Sequence, residues 1–174
     1  TAALGAPAIV FGGNEALKSR WLERIAGGGT KATVGILEED GQLGPEHVKT
    51  TAVKSSEGYV LNGKKFFVPD LAAADIAVIA ARTGEGEDCV TLFLVETGAF
   101  GVSIEENRLT DSTSRSGQLV LKDVRVGHDS VLGTPDQGWE VVDRVLLVAN
   151  VGIAAGSVAA AERVLRQAVA YARE

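Results

Sequence analysis

Residues 50–68 read TTAVKSSEGYVLNGKKFFV. Thr51 and Val53 begin a strand, a polar turn follows at Ser55–Gly58, and Tyr59, Val60 and Leu61 make a second strand. Asn62-Gly63 is the dipeptide that most readily takes positive φ at both centres of a type I′ turn, so a hairpin is expected there. A third strand over Lys65–Val68 completes an antiparallel meander with an aromatic end at Phe66-Phe67.

Turn residues punctuate the chain on both sides of this meander. Candidate strands are Ala32–Leu37, Val48–Lys54, Tyr59–Leu61, Lys65–Val68, Ile76–Ala81, Val90–Glu96, Val102–Asn107 and Ser116–Val124. Gly41, Gly58, Gly84–Gly86, Gly98 and Gly101 separate them, together with Asn62-Gly63. Short strands at regular spacing predict an antiparallel barrel or sandwich. Ile76–Ala81 and Thr91–Val95 are almost wholly apolar, as befits central strands covered on both faces.

Helices are expected at both ends. Asn14 is a good N-cap, with Glu15 favourable in the first turn. Leu17, Trp21, Leu22 and Ile25 then share one face, and Gly27-Gly28-Gly29 stops the helix. After Gly133-Thr134-Pro135, a helix is expected to start at Asp136 or Gln137 and carry the Val141/Val142/Val145/Leu146 stripe. A second helical stretch runs from Val158 to the end. The class is therefore α+β. The pattern divides the chain into a helical zone over residues 1–29, a strand-rich zone over 30–133 and a second helical zone over 134–174. The last helix ends mid-pattern, without a cap, Gly or Pro, which suggests a truncated chain. The first residues, TAALGAPAIVFGG, have no basic n-region and do not read as a signal peptide, so the chain is expected to begin inside a larger protein or after processing.

The bulk composition narrows the function classes. The chain has 174 residues, and 45% of them are hydrophobic, enough for a sizeable core. A net charge of −6, with lysines and arginines scattered, argues against nucleic-acid binding. No apolar segment is expected to span a membrane. The longest low-charge stretch, Val145–Ala161, contains Asn150, Gly152, Gly156 and Ser157 and reads as a buried or interface helix. Cys89 is the only cysteine, so no intramolecular disulfide can form, which fits a reducing cytoplasm. His47 and His128 lack ligand-spaced partners, so no metal is expected. Ser55-Ser56 and Ser112–Ser116 lack nucleophile-elbow glycines, and Gly27-Gly28-Gly29 lies in the wrong order for a phosphate-binding loop.

The motifs occur in an order that resembles the central portion of the acyl-CoA dehydrogenase family. Gly13-Asn14 to Gly27, with Lys18, Trp21-Leu22 and Ile25-Ala26, is similar to that family's "GTxxxKxxWLxxLAxG" helix. Tyr59–Gly63 and the residues after it resemble "YVLNGxKxWIT". Asp75 with Ile76–Arg82 resembles "ADxxxVxAR", and Phe93-Leu94-Val95 with Gly101-Val102 resembles "FLVE…GV". Leu119–Val126 with Val131-Leu132-Gly133 resembles "LxFxDVRVPxxxxLG", and Gly138-Trp139 the start of the next helix. The resemblance implies a middle antiparallel β-barrel or sandwich between two helical domains. It also implies FAD-dependent α,β-dehydrogenation of an acyl-CoA, an electron-transfer flavoprotein-like acceptor, and a homo- or hetero-oligomer formed through the C-terminal helices. The family's catalytic base usually lies in the C-terminal helical domain, beyond Glu174, so no catalytic residue is assigned here. Glu38, Glu39, Asp40 and Glu96 are carboxylates by type only, and solvated loop or strand-end charges are their simpler reading.

The same register marks departures. The family's "LTEPxxGSD" segment places Leu37 at the Thr, Glu39 at the Pro, and Gln42-Leu43-Gly44 at the Gly-Ser-Asp. A leucine cannot donate a hydrogen bond, and Glu39 with Asp40 adds negative charge near a diphosphate position. Phe67-Val68-Pro69 stands where the family has Trp-Ile-Thr. Phe67 can stack on a ring, but Pro69 offers neither hydroxyl nor N–H. By resemblance, Ile36, Leu37, Phe67, Val68 and Pro69 are the cofactor-side candidates and Leu43 and Gly44 the substrate-side ones. Backbone donors at Ile36 and Leu37 survive whatever the side chains are. Asp111-Ser112-Thr113-Ser114-Arg115 replaces "GIRGSPT", and Arg115 suits a phosphate or carboxylate, or plain solvent. Two functions stay open: an FAD-dependent acyl-CoA dehydrogenase, or a paralogous subunit that binds no flavin and has a structural role in a heteromer.

Overall fold

The computed structural model describes residues 1–111 and 113–173. Helices α1 (Gly5–Gly12) and α2 (Glu15–Ala26) lead into eight strands: β1 (Ala32–Gly35), β2 (Thr51–Lys54), β3 (Gly58–Pro69), β4 (Ile76–Arg82), β5 (Val90–Glu96), β6 (Val102–Glu106), β7 (Ser116–Gly127) and β8 (Val131–Leu132). Helix α3 (Gly138–Tyr171) closes the chain. Asn14 caps α2 as its sequence predicts, its Oδ1 accepting from the Leu17 N–H at 2.9 Å.

The strands form two half-sheets, β6-β7-β3-β2 and β4-β5-β8, with β1 beside β4. A single ladder pair, Thr51 with Arg82, joins them. The inner faces meet in one core: Ala52, Tyr59, Leu61, Leu119 and Leu121 from the first half, and Ala77, Ile79, Phe93 and Val95 from the second. The Tyr59 and Phe93 rings pack edge to face at 4.9 Å across it. Because strand side chains alternate, Ile76, Val78 and Ala80 of β4 and Leu92 and Leu94 of β5 face the other way. There they meet Ile9, Leu17, Trp21, Val141, Val142 and Val145 of the helices. Both strands are thus covered on both faces, as their apolar runs predict.

Four expectations change. The sheet is mixed, because β1 runs parallel to β4 and the Thr51–Arg82 pair is also parallel. Asn62-Gly63 makes no hairpin, and β3 runs straight through it. Only Gly63 has positive φ there (+150°), whereas a type I′ turn needs it at both residues. The Asn62 amide is committed elsewhere: it accepts from the Asp123 N–H at 2.8 Å and donates to the Asp123 carboxylate at 3.1 Å. Those bonds brace a bulge in β7, where Lys122-Asp123 faces Asn62 alone and Asp123 has φ +52°. The true turn is the polar Ser55–Gly58, closed by the Ser55 N–H on the Gly58 carbonyl at 2.8 Å. Strand β8 was not foreseen, and β1 and β2 are shorter than the expected Ala32–Leu37 and Val48–Lys54.

The fourth change concerns the C-terminal region. Its two expected helices are one helix of 34 residues. Glycines at 152 and 156 weaken a helix by about 1 kcal/mol each without breaking it, and no proline intervenes. By length and composition this helix is long and apolar enough to cross a membrane, contrary to the sequence expectation. Its first turns instead pack on the β-domain through Val141, Val142, Val145 and Ala149. Leu147 among them, and Val151, Ile153, Val158, Val164 and Leu165 beyond them, are 64–70% exposed.

Gly63 is a position where the fold admits no side chain. A Cβ there would lie 2.5–2.8 Å from Thr50 Oγ1, Cα and Cβ. Gly63→Ala is expected to lower stability by about 2–3 kcal/mol in urea or thermal melts, from overpacking and a strained φ together.

Candidate functional site

The loop after β1, the end of β3 and the two helical ends converge on one cavity of about 360 Å³. Ile36, Leu37, Gly41 and Leu43 line it from the loop, Phe66, Phe67 and Pro69 from β3, Val34 from β1, and Leu4 and Leu146 from the helical ends. Five of the seven candidate residues therefore meet here: Ile36, Leu37, Leu43, Phe67 and Pro69. Two do not line it. Val68 turns into the sheet-to-sheet core and is 1% exposed, because it falls on the opposite side of β3 from Phe67. Gly44 is buried beside the 3₁₀ turn at Pro45–His47, outside the lining.

Local irregularity puts Phe67 on the wall. Between the pairs Lys65–Leu119 and Val68–Gly117, β3 carries two residues against one in β7. This bulge holds Phe67 at φ +52°, with its ring 51% exposed. A left-handed aromatic residue costs on the order of 1–3 kcal/mol and persists only where its surroundings over-determine it. Pro69 is tied down by the Thr33 hydroxyl, which donates to its carbonyl at 2.7 Å.

The Ile36–Leu37 wall is held from β3. The Phe66 N–H donates to the Leu37 carbonyl at 2.8 Å, and Lys65 Nζ reaches the Ile36 carbonyl at 3.4 Å. Lys65 is wholly buried and ion-paired to Glu38 at 2.6 Å, while Glu38 also accepts from the Thr50 N–H at 2.8 Å. Burial pushes the Lys65 amine down to about 8, against the pull of Glu38. Burial pushes Glu38 up, but the Lys65 ammonium and the hydrogen bonds from Lys65 and Thr50 outweigh it and hold the carboxyl below its usual value. Glu38 is thus not a solvated loop charge. Glu39 and Asp40 are exposed, and Glu96 pairs with Arg20 at 3.4 Å.

Arg82 fixes the far end of the same loop. Its Nε donates to the Val48 carbonyl at 2.9 Å, Nη2 to Pro45 at 2.7 Å, and Nη1 to Gly86. Asp40 accepts from the Gln42 N–H at 3.2 Å and lies 3.1 Å from His47 Nδ1 and 3.7 Å from Lys49 Nζ. Its charge is therefore partly offset within the loop. Asp111 accepts from Thr113 and Ser114, which keeps its carboxyl well below the usual range. Arg115 lines a separate cavity with Asp70, Glu106 and Asn107, and Ser112 lies outside the described residues.

Sequence reasoning missed Lys65 and Arg82. The signal for Lys65 was present: Tyr59, Leu61, Gly63 and Lys65 alternate onto one face of β3, and a lysine on that face requires a carboxylate.

The description "Acyl-CoA dehydrogenase, middle domain" is that of the family model matching residues 33–124, more than half of the chain. The chain belongs to the acyl-CoA dehydrogenase family. It is 30% identical over 175 residues to an acyl-CoA dehydrogenase of Bacillus subtilis, a match covering 98% of this chain and 46% of that protein. Butyryl-CoA dehydrogenase from Megasphaera elsdenii superimposes with a TM-score of 0.92 at 30% identity, covering 98% of this chain and 46% of that one. A glutaryl-CoA dehydrogenase from Mycobacterium smegmatis, solved in complex with FADH2, superimposes at 0.78 with 30% identity, covering 87% and 39%. The chain spans about half the length of the curated relatives it matches.

The wall suits a flat ligand with an apolar body and a polar edge. Phe67 offers a ring face, and Leu43, Val34 and Leu146 offer apolar contact. Among the described residues, the Ile36 and Leu37 N–H groups have no protein acceptor, so both remain able to donate. The side chains at 37, 43 and 69 supply no donor. A flavin ring fits these residues through the backbone and Phe67 alone.

Breaking the buried pair leaves an uncompensated charge. Glu38→Gln is expected to cost about 3–5 kcal/mol in denaturant melts. Glu38's folded value lies below 4.5, so the stability it supplies is fully present above pH 4.5 and is lost as the pH falls through that folded value. Melting temperature measured against pH should therefore drop on acidification below 4.5, and the drop should be smaller in Glu38→Gln.

Proposed function

We propose that this chain is the central part of an FAD-dependent acyl-CoA dehydrogenase that oxidises the α,β bond of an acyl-CoA thioester. The convergence of Ile36, Leu37, Leu43, Phe67 and Pro69 on one apolar cavity carries the reading. Bound FAD would supply the hydride acceptor for the reaction. The chain's own residues bind and orient: Ile36 and Leu37 through their N–H groups, Phe67 through its ring, and Leu43 and Leu146 by excluding water. Val68 takes part only through its backbone, and Gly44 only by shaping the Leu43 loop. An electron-transfer flavoprotein-like protein would be the electron acceptor, and the exposed face of α3 joins the chain into a homo- or hetero-oligomer. The divisions at 29/30 and 133/134 then separate the β-domain from two helical domains.

A specific observation favours a second reading. Leu37, Leu43 and Pro69 all lie on the cavity wall and none carries a hydrogen-bonding side chain. Each hydrogen bond lost to a ligand costs ~1 kcal/mol, and more where the ligand atom stays buried. That composition suits a subunit of a heteromeric acyl-CoA dehydrogenase that binds no flavin itself and has a structural role.

Visible absorption of the full-length protein, purified without cofactor and titrated with FAD, separates the two. Flavin bands at about one per subunit are expected. A protein that stays colourless, but takes up FAD once Leu37→Thr, Leu43→Ser and Pro69→Thr are introduced, would establish the second reading.

Phe67 gives an independent check. Phe67→Ala should weaken FAD binding by about tenfold, the loss of one stacked ring. Unchanged affinity in the same titration would remove Phe67 from the site.

A further inference from the structure

We propose that Lys65 and Glu38 are positioning residues of the cavity: joined to one another, they hold the Ile36–Leu37 wall against β3 so that its two free N–H groups stand ready for a ligand. The inference deepens the flavin reading and rests on it for one of its two readouts.

Ile36 and Leu37 of the wall, and Glu38 next to them, are tied to two consecutive residues of β3. Lys65 Nζ reaches the Ile36 carbonyl at 3.4 Å and the Glu38 carboxylate at 2.6 Å, and between them the Phe66 N–H holds the Leu37 carbonyl at 2.8 Å. Glu38 extends the tie to β2 by accepting from the Thr50 N–H at 2.8 Å. Apart from these bonds, Ile36 packs against the helix-side core, but strand pairing stops short of the wall. The β1–β4 ladder ends at the Gly35–Ile79 pair, and the Leu37 N–H does not continue it. The backbone also makes room for the lysine stem. A Cβ at Gly35 would lie 3.1 and 3.2 Å from Lys65 Cγ and Cβ, and 2.9 Å from Ile79 Cδ1. Glycine lets the stem lie directly against β1. An apolar pair could fill the same space, but it could not bond the Ile36 carbonyl or the Thr50 N–H.

The test uses the full-length protein and the double variant Glu38→Leu/Lys65→Met, which removes both charges at similar volume. Amide hydrogen exchange is followed at Phe66 and over the rest of β3, melting temperature is recorded, and FAD is titrated by absorbance. The expected result is a melting temperature within a few degrees of wild type, at least tenfold faster exchange of the Phe66 amide, which is bonded to the Leu37 carbonyl, and at least tenfold weaker FAD binding. Wild-type exchange of the Phe66 amide in a variant of matched melting temperature would overturn the proposal, because a purely structural pair predicts that outcome. Should the double variant not fold, Glu38→Asp decides: it keeps both charges and shortens the arm by one methylene. Faster exchange of the Phe66 amide would support positioning, and unchanged exchange would refute it. A wild-type protein that takes up no FAD would sink the flavin reading alone, since the exchange comparison still decides the role of the pair.

Discussion

The buried contact between Lys65 and Glu38 is the constraint on which the cavity depends. A fully buried ammonium is tolerable only if its charge is met and its protons are bonded, and here the carboxylate and a backbone carbonyl do both. That requirement propagates outward. It needs a glycine at 35 for the lysine stem to pass, and it ties the loop after β1 to the strand that carries Phe67. The pair links the two halves of the sandwich near the seam where only one ladder pair connects them.

Two loops of opposite character meet at the cavity. One is the segment from Ile36 to Val48, anchored at its start by Lys65 and at its end by the Arg82 guanidinium, which bonds Val48 and Pro45. The other is not a loop in the ordinary sense but a bulge within β3. The first is held by charge and hydrogen bonds, the second by strand pairing on either side of Phe67. Scaffold and site are thus joined through backbone geometry more than through side-chain chemistry, which explains how the cavity keeps its shape although Leu37, Leu43 and Pro69 carry no polar group.

Much of this was legible in the sequence where the signal is local. The apolar runs of β4 and β5 announced strands covered on both faces, Asn14 announced its helix, and the ordered motifs placed Ile36, Leu37, Leu43, Phe67 and Pro69 together before any coordinates. Signals that depend on distant partners failed. Asn62-Gly63 has hairpin chemistry, yet Asp123, 61 residues away, claims the Asn62 amide. Two helical stretches were expected in the C-terminal region, but Gly152 and Gly156 keep their N–H groups and let one helix run through. The parallel setting of β1 follows from where the meander folds back, which no pattern within β1 records. Glu38 looked like a solvated loop charge because it was read without Lys65, 27 residues away.

Phe67 has a consequence for the engineering of such domains. Its left-handed backbone is a standing energetic debit that a glycine or asparagine would relieve. Any procedure that selects for heat resistance alone would discard the aromatic ring here and flatten the wall it forms. Retention of a ring at such a position is therefore a signature of use rather than of stability, and a screen run without ligand would select against it.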